Sequence, residues 1–337
     1  MIKIINLNKS LEWAVTSLLV ISLQGILFAD DNDKVGSVAF KFLNIQTDAR
    51  TAALGGTAAQ ASGAGALFSN PAGLAGSAMG LSAGMSQWLV ETSITSFGFA
   101  LPMAGGVVGL GFVNVDYGDM MRSGWGEESG QFIFQPNQGG AFTAADMSIQ
   151  LSYGKSFTDK FSIGGSAKMI SQNIDDVDLS GTAFDIGMQF DTDYNGIRLG
   201  AVISNFGPDV ESQAPGGGYA EHPSMSLPMT FSFGVIGEAM PGLNAGLNVL
   251  KQADMAQQFI VNAEYNISVA AMRFSYNLNN PEQDLSVGAG VNVAGINADV
   301  TMSMTKHLDN VMRMSICLLY TSPSPRDLST SRMPSSA

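Results

Sequence analysis

Cysteine, histidine and charge are all scarce in this chain of 337 residues: one cysteine, two histidines, and 13% charged residues. Each scarcity removes a class of chemistry. A lone Cys317 permits no disulfide framework and no thiolate zinc site. His222 and His307 fall in two separate loop sequences, "AEHPSM" and "MTKHLDN". Nucleophilic hydrolysis needs a histidine held rigidly beside its serine, and neither has such a frame. The acidic run Asp175, Asp176 and Asp178 lacks the glycine and distal glutamate of a calcium loop. "PGGGY" (215–219) lacks the lysine and hydroxyl of a phosphate cradle. The expectation is therefore no enzyme, no catalytic residue, no metal and no cofactor.

Basic residues are few and scattered, 16 against 29 acidic ones. A net charge of −13 without a basic cluster argues against nucleic acid as a partner. The charge is also too sparse for an ordinary soluble surface, which carries about 25%. Yet long apolar runs are missing after the N-terminus. An apolar chain without helical spans has one common membrane solution, a closed β-barrel.

Residues 1–29 read as a cleaved secretory signal. Lys3 and Lys9 precede an apolar stretch, and Leu27-Phe28-Ala29 offers a small residue before Asp30. That stretch is shorter than the ~20 residues of a helical span. The last 21 residues, "CLLYTSPSPRDLSTSRMPSSA", stand apart, with no glycine, six serines and three prolines. They resemble the conceptual translation of a sequencing-library adapter, so 317–337 is set outside the fold as an adapter-derived tail.

What is abundant is glycine, 39 residues, and period-two alternation. "AFDIGMQFD" puts Phe184, Ile186, Met188 and Phe190 on one face. "NADVTMSMT" does the same with Val300, Met302 and Met304. Such alternation marks half-buried strands. Fourteen can be placed between 80 and 316, an even number as single-chain bacterial barrels require. Connections alternate too: tight after even-numbered strands, and longest after the third and seventh, at 118–144 and 206–227. The expected fold is all-β, a 14-stranded antiparallel transmembrane barrel over 80–316 with its last strand cut short.

Before it, 30–79 is rich in small residues and too short to fold alone, so it is expected to pack as a plug. Asp48 can cap a short helix that Gly55 and Gly56 end. Asn70-Pro71 is a corner, since Asn before Pro initiates turns and Pro gives no N–H to a ladder.

At these residues the sequence resembles a known family. "FLNIQTDARTAALGGTAAQASGAGALFSNPAGLA" is similar to the N-terminal signature of PorV/PorQ proteins, the matching positions being Phe42, Leu43, Arg50, Gly55, Gly56, Asn70, Pro71, Ala72, Gly73 and Leu74. The wider FadL-like group of transporters for hydrophobic compounds shares the corner and a 14-stranded barrel. The resemblance implies an outer-membrane, porin-like barrel with the N-terminal segment near its lumen. For PorV-like members it further implies a role in type IX protein secretion, handing exported proteins to a surface-attachment complex. The FadL-like alternative is transport of hydrophobic small molecules. Family members usually end on an aromatic residue, and "NVMRMSI" breaks off before one.

The polar strand faces carry Asp185, Asp191, Glu264 and Asp299, which would make a water-filled lumen cation-favouring. Arg50 would pin the plug by pairing with Asp185 or Asp299. The long loops carry Trp125, Phe132, Phe134, Tyr219 and Met225, apolar side chains expected to contact secreted proteins or secretion-system subunits, or else to fold inward over the pore. Outer-membrane lipid is the other expected partner. The oligomeric state is left open.

Overall fold

Alternation across the pleat builds the wall of the molecule. In the computed structural model, which describes residues 35–128, 131–135, 140–194, 196–211 and 224–320, fourteen antiparallel strands close into a barrel. In chain order these are β1 (Met79–Gln87), β2 (Ser93–Met103), β3 (Gly106–Met121), β4 (Ala141–Ser156), β5 (Phe161–Ile174), β6 (Val177–Asp191) and β7 (Arg198–Phe206). The second half comprises β8 (Thr230–Met240), β9 (Leu243–Gln252), β10 (Gln258–Ile267), β11 (Ala270–Asn277), β12 (Gln283–Val293), β13 (Ile296–Thr305) and β14 (Val311–Tyr320). Each strand pairs with its neighbours in sequence, and β1 pairs with β14, Met79 opposite Tyr320 and Gln87 opposite Met312, so no edge is left open.

The two faces differ as the alternation requires. On β6, Phe184, Ile186, Met188 and Phe190 point outward and are exposed, while Ala183, Asp185, Gly187 and Gln189 are buried inside. On β13, Val300, Met302 and Met304 point out and Thr301 and Ser303 in. A water-soluble protein inverts this arrangement. An apolar outer face on a closed barrel is matched to lipid, since every backbone polar group is already paired.

One end carries the tight turns, such as Ala104-Gly105 between β2 and β3 and Ala294-Gly295 between β12 and β13. The other carries the longer connections. Of these, 118–144 is largely strand rather than loop. β3 and β4 run on past a register shift between Asp116 and Asp119, and Gly124–Glu128 pairs with Gln131–Gln135 as a separate hairpin. Beyond the lipid both faces of a strand meet water, so apolar alternation fades there and the sequence reads as loop. The connection 206–227 holds a shorter pairing, Val210–Glu211 with Ser224–Met225.

β14 extends to Tyr320, so four residues of the compositionally distinct segment 317–337 complete it, paired with both β1 and β13. Cys317 and Leu319 turn inward, Leu318 and Tyr320 outward, which continues the alternation of the strand. Residues 1–29, expected to be a signal, and residues 321–337 lie outside the described residues.

Candidate functional site

The N-terminal segment runs through the inside of the cylinder. It starts at the loop end, where the Ala39 N–H donates to the Ser226 carbonyl at 2.9 Å. It leaves at the turn end into Met79. Near the start, Phe40 and Phe42 pack on inward-facing Ile94, Val115, Ile170 and Leu179. Near the finish, Leu67 and Leu74 pack on Ala100 and Val107. Between these apolar anchors the chain is held by polar groups.

Helix α1 (Ala49–Ala53) lies in that middle stretch. Asp48 caps it, accepting from the Thr51 N–H at 2.8 Å. Gly55 and Gly56 follow with φ of 72° and 76°, a left-handed turn that glycine adopts without strain. Across the lumen, the Ala49 N–H donates to Ser315 Oγ at 3.2 Å and Thr301 Oγ1 donates to the Ala49 carbonyl at 2.6 Å. Arg50 reaches Glu264 with both prongs, Nε to Oε1 at 3.2 Å and Nη2 to Oε2 at 3.1 Å. Its Nη1 also donates to the Gln60 carbonyl and to Ser62 Oγ.

The corner follows. Asn70 caps the single 3₁₀ turn Pro71–Leu74, its Oδ1 accepting from the Ala72 N–H at 3.1 Å. Pro71, Ala72 and Gly73 are buried in that turn against β4, β5 and β6. Gln189 on the wall donates to the carbonyls of Ala58 and Ala61 at 3.1 and 2.9 Å.

Two cavities flank α1. The outer one, about 440 Å³, lies at the loop end; Phe42, Ile45, Trp88, Leu89, Val115 and Val311 give it a mainly apolar surface, and Lys41, Gln252, Glu282, Asp284 and Arg313 are among its polar residues. Arg313 lies over the Trp88 ring at 5.1 Å and donates to the Gln46 carbonyl and Ser303 Oγ. The inner one, about 750 Å³, lies at the turn end and is lined by Asp48, Arg50, Glu264, Arg273, Asp299 and Asn266. An apolar chamber thus opens outward and a polar one inward.

The four lumen acids singled out above are each paired with a cation, which offsets the preference for cations that they would give a water-filled lumen. Asp185 pairs with Lys168 at 2.8 Å, Asp299 with Arg273 at 2.5 Å, and Asp191 with Arg198. Glu264 takes both Arg50 and Arg273. The partner expected for Arg50, Asp185 or Asp299, is corrected, because each of those acids is already held by a cation of its own wall. Lys168, Arg273 and Arg313 were the residues the sequence reading missed. Each sits between outward-facing neighbours, in "AKM", "MRF" and "MRM", so strict alternation assigns all three inward.

The aromatic candidates separate. Trp125 and Phe134 stand exposed on the hairpin beyond β3, their rings edge to face at 5.8 Å. Phe132 lies in the same hairpin, opposite Glu127. Met225 instead packs half-buried on the apolar cluster around Phe40. Tyr219 lies outside the described residues, as does His222. Among the described residues no cluster of His, Cys, Asp and Glu is arranged to hold a metal ion.

No protein-family model matches the sequence, and no curated protein matches it. Solved structures do match the fold. The Pseudomonas putida toluene transporter TodX aligns with TM-score 0.58 at 10% identity, over 83% of this chain and all of the other. A TodX monoaromatic hydrocarbon channel deltaS2 mutant aligns with TM-score 0.52 at 11% identity, over 80% and 96%. A Pseudomonas aeruginosa FadL homologue aligns with TM-score 0.46 at 11% identity, over 82% and 98%. At such identities the likeness is one of fold. With its lipid-matched girdle, this closed barrel is a protein of the bacterial outer membrane.

Proposed function

We propose that the protein passes hydrophobic small molecules across the outer membrane, admitting them from outside into the outer cavity. The observation that carries this reading is the contrast inside the barrel. Serine, glycine, asparagine and ion pairs line most of the lumen, yet the chamber at the loop end is walled by Phe42, Trp88, Leu89 and Val115. A pocket of several hundred Å³ with apolar walls and a few convergent polar groups is the usual form of a small-molecule site. Lys41, Glu282, Asp284 and Arg313 also line it, and the Arg313 guanidinium offers a donor for a polar end. The solved barrels of similar fold, described as a toluene transporter and a monoaromatic hydrocarbon channel, lend support. A test is titration of the purified protein in amphipol with N-phenyl-1-naphthylamine. Saturable binding, displaced by toluene and weakened about tenfold by Trp88→Ala, supports the reading. Unsaturable uptake, equal in the variant, overturns it.

A second reading, a secretion component of PorV/PorQ type, draws on the exposed Trp125–Phe134 pair, an aromatic patch on the outer side. It predicts that Trp125→Ser with Phe134→Ser abolishes co-purification of a secreted protein from outer membranes and leaves probe binding unchanged. Retention of that secreted protein by the double variant sinks it.

A further inference from the structure

The wall shows a layered pattern around α1. On β12, Ser286 lines the outer cavity and Gly290 the inner one, and between them Gly288 abuts Ala53, where an added Cβ would lie 2.6 Å from the Ala53 Cβ. On β14, Arg313 lines the outer cavity and Cys317 the inner one, and between them Ser315 accepts from the Ala49 N–H. On β10, Ile260 faces outward of α1 and Glu264 inward. Strand after strand, the level that separates the two chambers is the level of α1. The helix itself is split the same way: Ala52 lines the outer cavity, Arg50 and Thr51 the inner.

One turn of helix has no stability of its own, because nucleation costs more than one turn of hydrogen bonds returns. Its position rests on what holds it. Two holds are single neutral hydrogen bonds, to Ser315 and Thr301. Ser315 Oγ also donates to Asp48 at 3.3 Å and Ala53 packs on Gly288, but the two-pronged ion pair of Arg50 with Glu264 is the stronger kind of polar contact. Glu264 keeps one hydrogen-bonded cation when Arg50 leaves. Arg273 donates to it at 2.7 Å and to Asp299 at 2.5 Å, so the wall keeps its own closed network when Arg50 leaves. One guanidinium then serves two carboxylates, so release leaves one net negative charge on the wall of the polar inner chamber. Downstream, Gly55 and Gly56 give the segment a joint free of side chains.

We propose that α1 is a partition latched by the Arg50–Glu264 ion pair, and that its release joins the two chambers into one aqueous path through the barrel. Ion passage by that path does not depend on which solute the outer cavity takes, so a failure of the probe titration above leaves it standing. The full chain is reconstituted in planar bilayers in potassium chloride, and the fraction of time spent conducting is compared between variants. Arg50→Ala and Glu264→Gln should each raise it about tenfold or more over wild type, the scale of one lost charge-assisted pair, with Arg50→Lys in between. Amide exchange across Ala49–Ala53 should quicken in the same variants while β10 and β11 keep their protection. Arg50→Ala changes no strand residue and leaves Glu264 its contact with Arg273, so it carries the test should Glu264→Gln fail to form a barrel. Conductance and exchange equal to wild type in a folded Arg50→Ala protein overturn the proposal.

Discussion

Asn70 and Gly187 fit each other so closely that the Asn70 side-chain oxygen occupies the place a Cβ on residue 187 would take. The rest of the amide is fully used. Nδ2 donates to the Ala58 carbonyl at 2.9 Å and to the Met188 carbonyl, in the wall, at 3.2 Å, while Oδ1 caps the next turn. The residue has no exposed surface. Asn70→Ala strips the Ala72 N–H of its cap and takes one donor from each of the Ala58 and Met188 carbonyls, the first of which keeps Gln189, and should cost about 1–3 kcal/mol in urea unfolding from lipid vesicles. Asn70→Asp keeps the shape but sets a carboxylate against two carbonyl oxygens. It should destabilise at least as much as alanine, and a milder effect would mean that shape alone holds the corner.

Lys168 and Asp185 form a buried pair on adjacent strands, 2.8 Å apart, their side chains 10% and 4% exposed. Asp185 also accepts from the Asn205 N–H at 2.8 Å, and Lys168 donates to Asn205 Oδ1 at 2.7 Å. Asn205 has φ of 59°, a conformation it holds with both its amide and its side chain engaged. Asp185→Asn leaves an ammonium without its counter-charge and should destabilise by about 3–5 kcal/mol. Adding Lys168→Met should recover much of that loss, since an apolar pair of similar volume requires no desolvated charge. A double-mutant cycle in urea checks this; no recovery would assign the loss to Asn205 alone.

The strands were legible because lipid outside and a packed polar lumen inside impose opposite demands on successive residues. Phe184, Ile186, Met188 and Phe190 could be assigned to one face from four alternate letters, and they share the lipid face. The same demand disappears past the membrane, which is why β3 beyond Asp116 and the hairpin carrying Trp125 read as loop. Pairings inside the lumen were less legible. Arg50 lies 214 residues from Glu264, and local sequence does not say which of several inward acids meets it once the chain is threaded. Counting the inward cations would have narrowed the choice: Lys168 and Arg273 already claim Asp185 and Asp299.

Leu151 tests the outer face directly. It points outward on β4, paired with Leu110 and Ala167, and is 56% exposed. It lies five residues before the end of β4 at Ser156. At ~3.3 Å per residue and a tilt of ~40° it sits about 13 Å from the turn end, near the middle of a ~25 Å girdle. Phe157, just past that end, is exposed beside Lys155, whose ammonium lies 5.8 Å from its ring. An arginine at the middle must carry its charge into hydrocarbon, whereas one at the rim can reach headgroups. Leu151→Arg should therefore lower the folding free energy in lipid vesicles by about 2–4 kcal/mol, and Phe157→Arg by about 0–1 kcal/mol. Equal penalties at the two depths would mean that the exposed apolar face meets another protein, not lipid, along this side of the barrel.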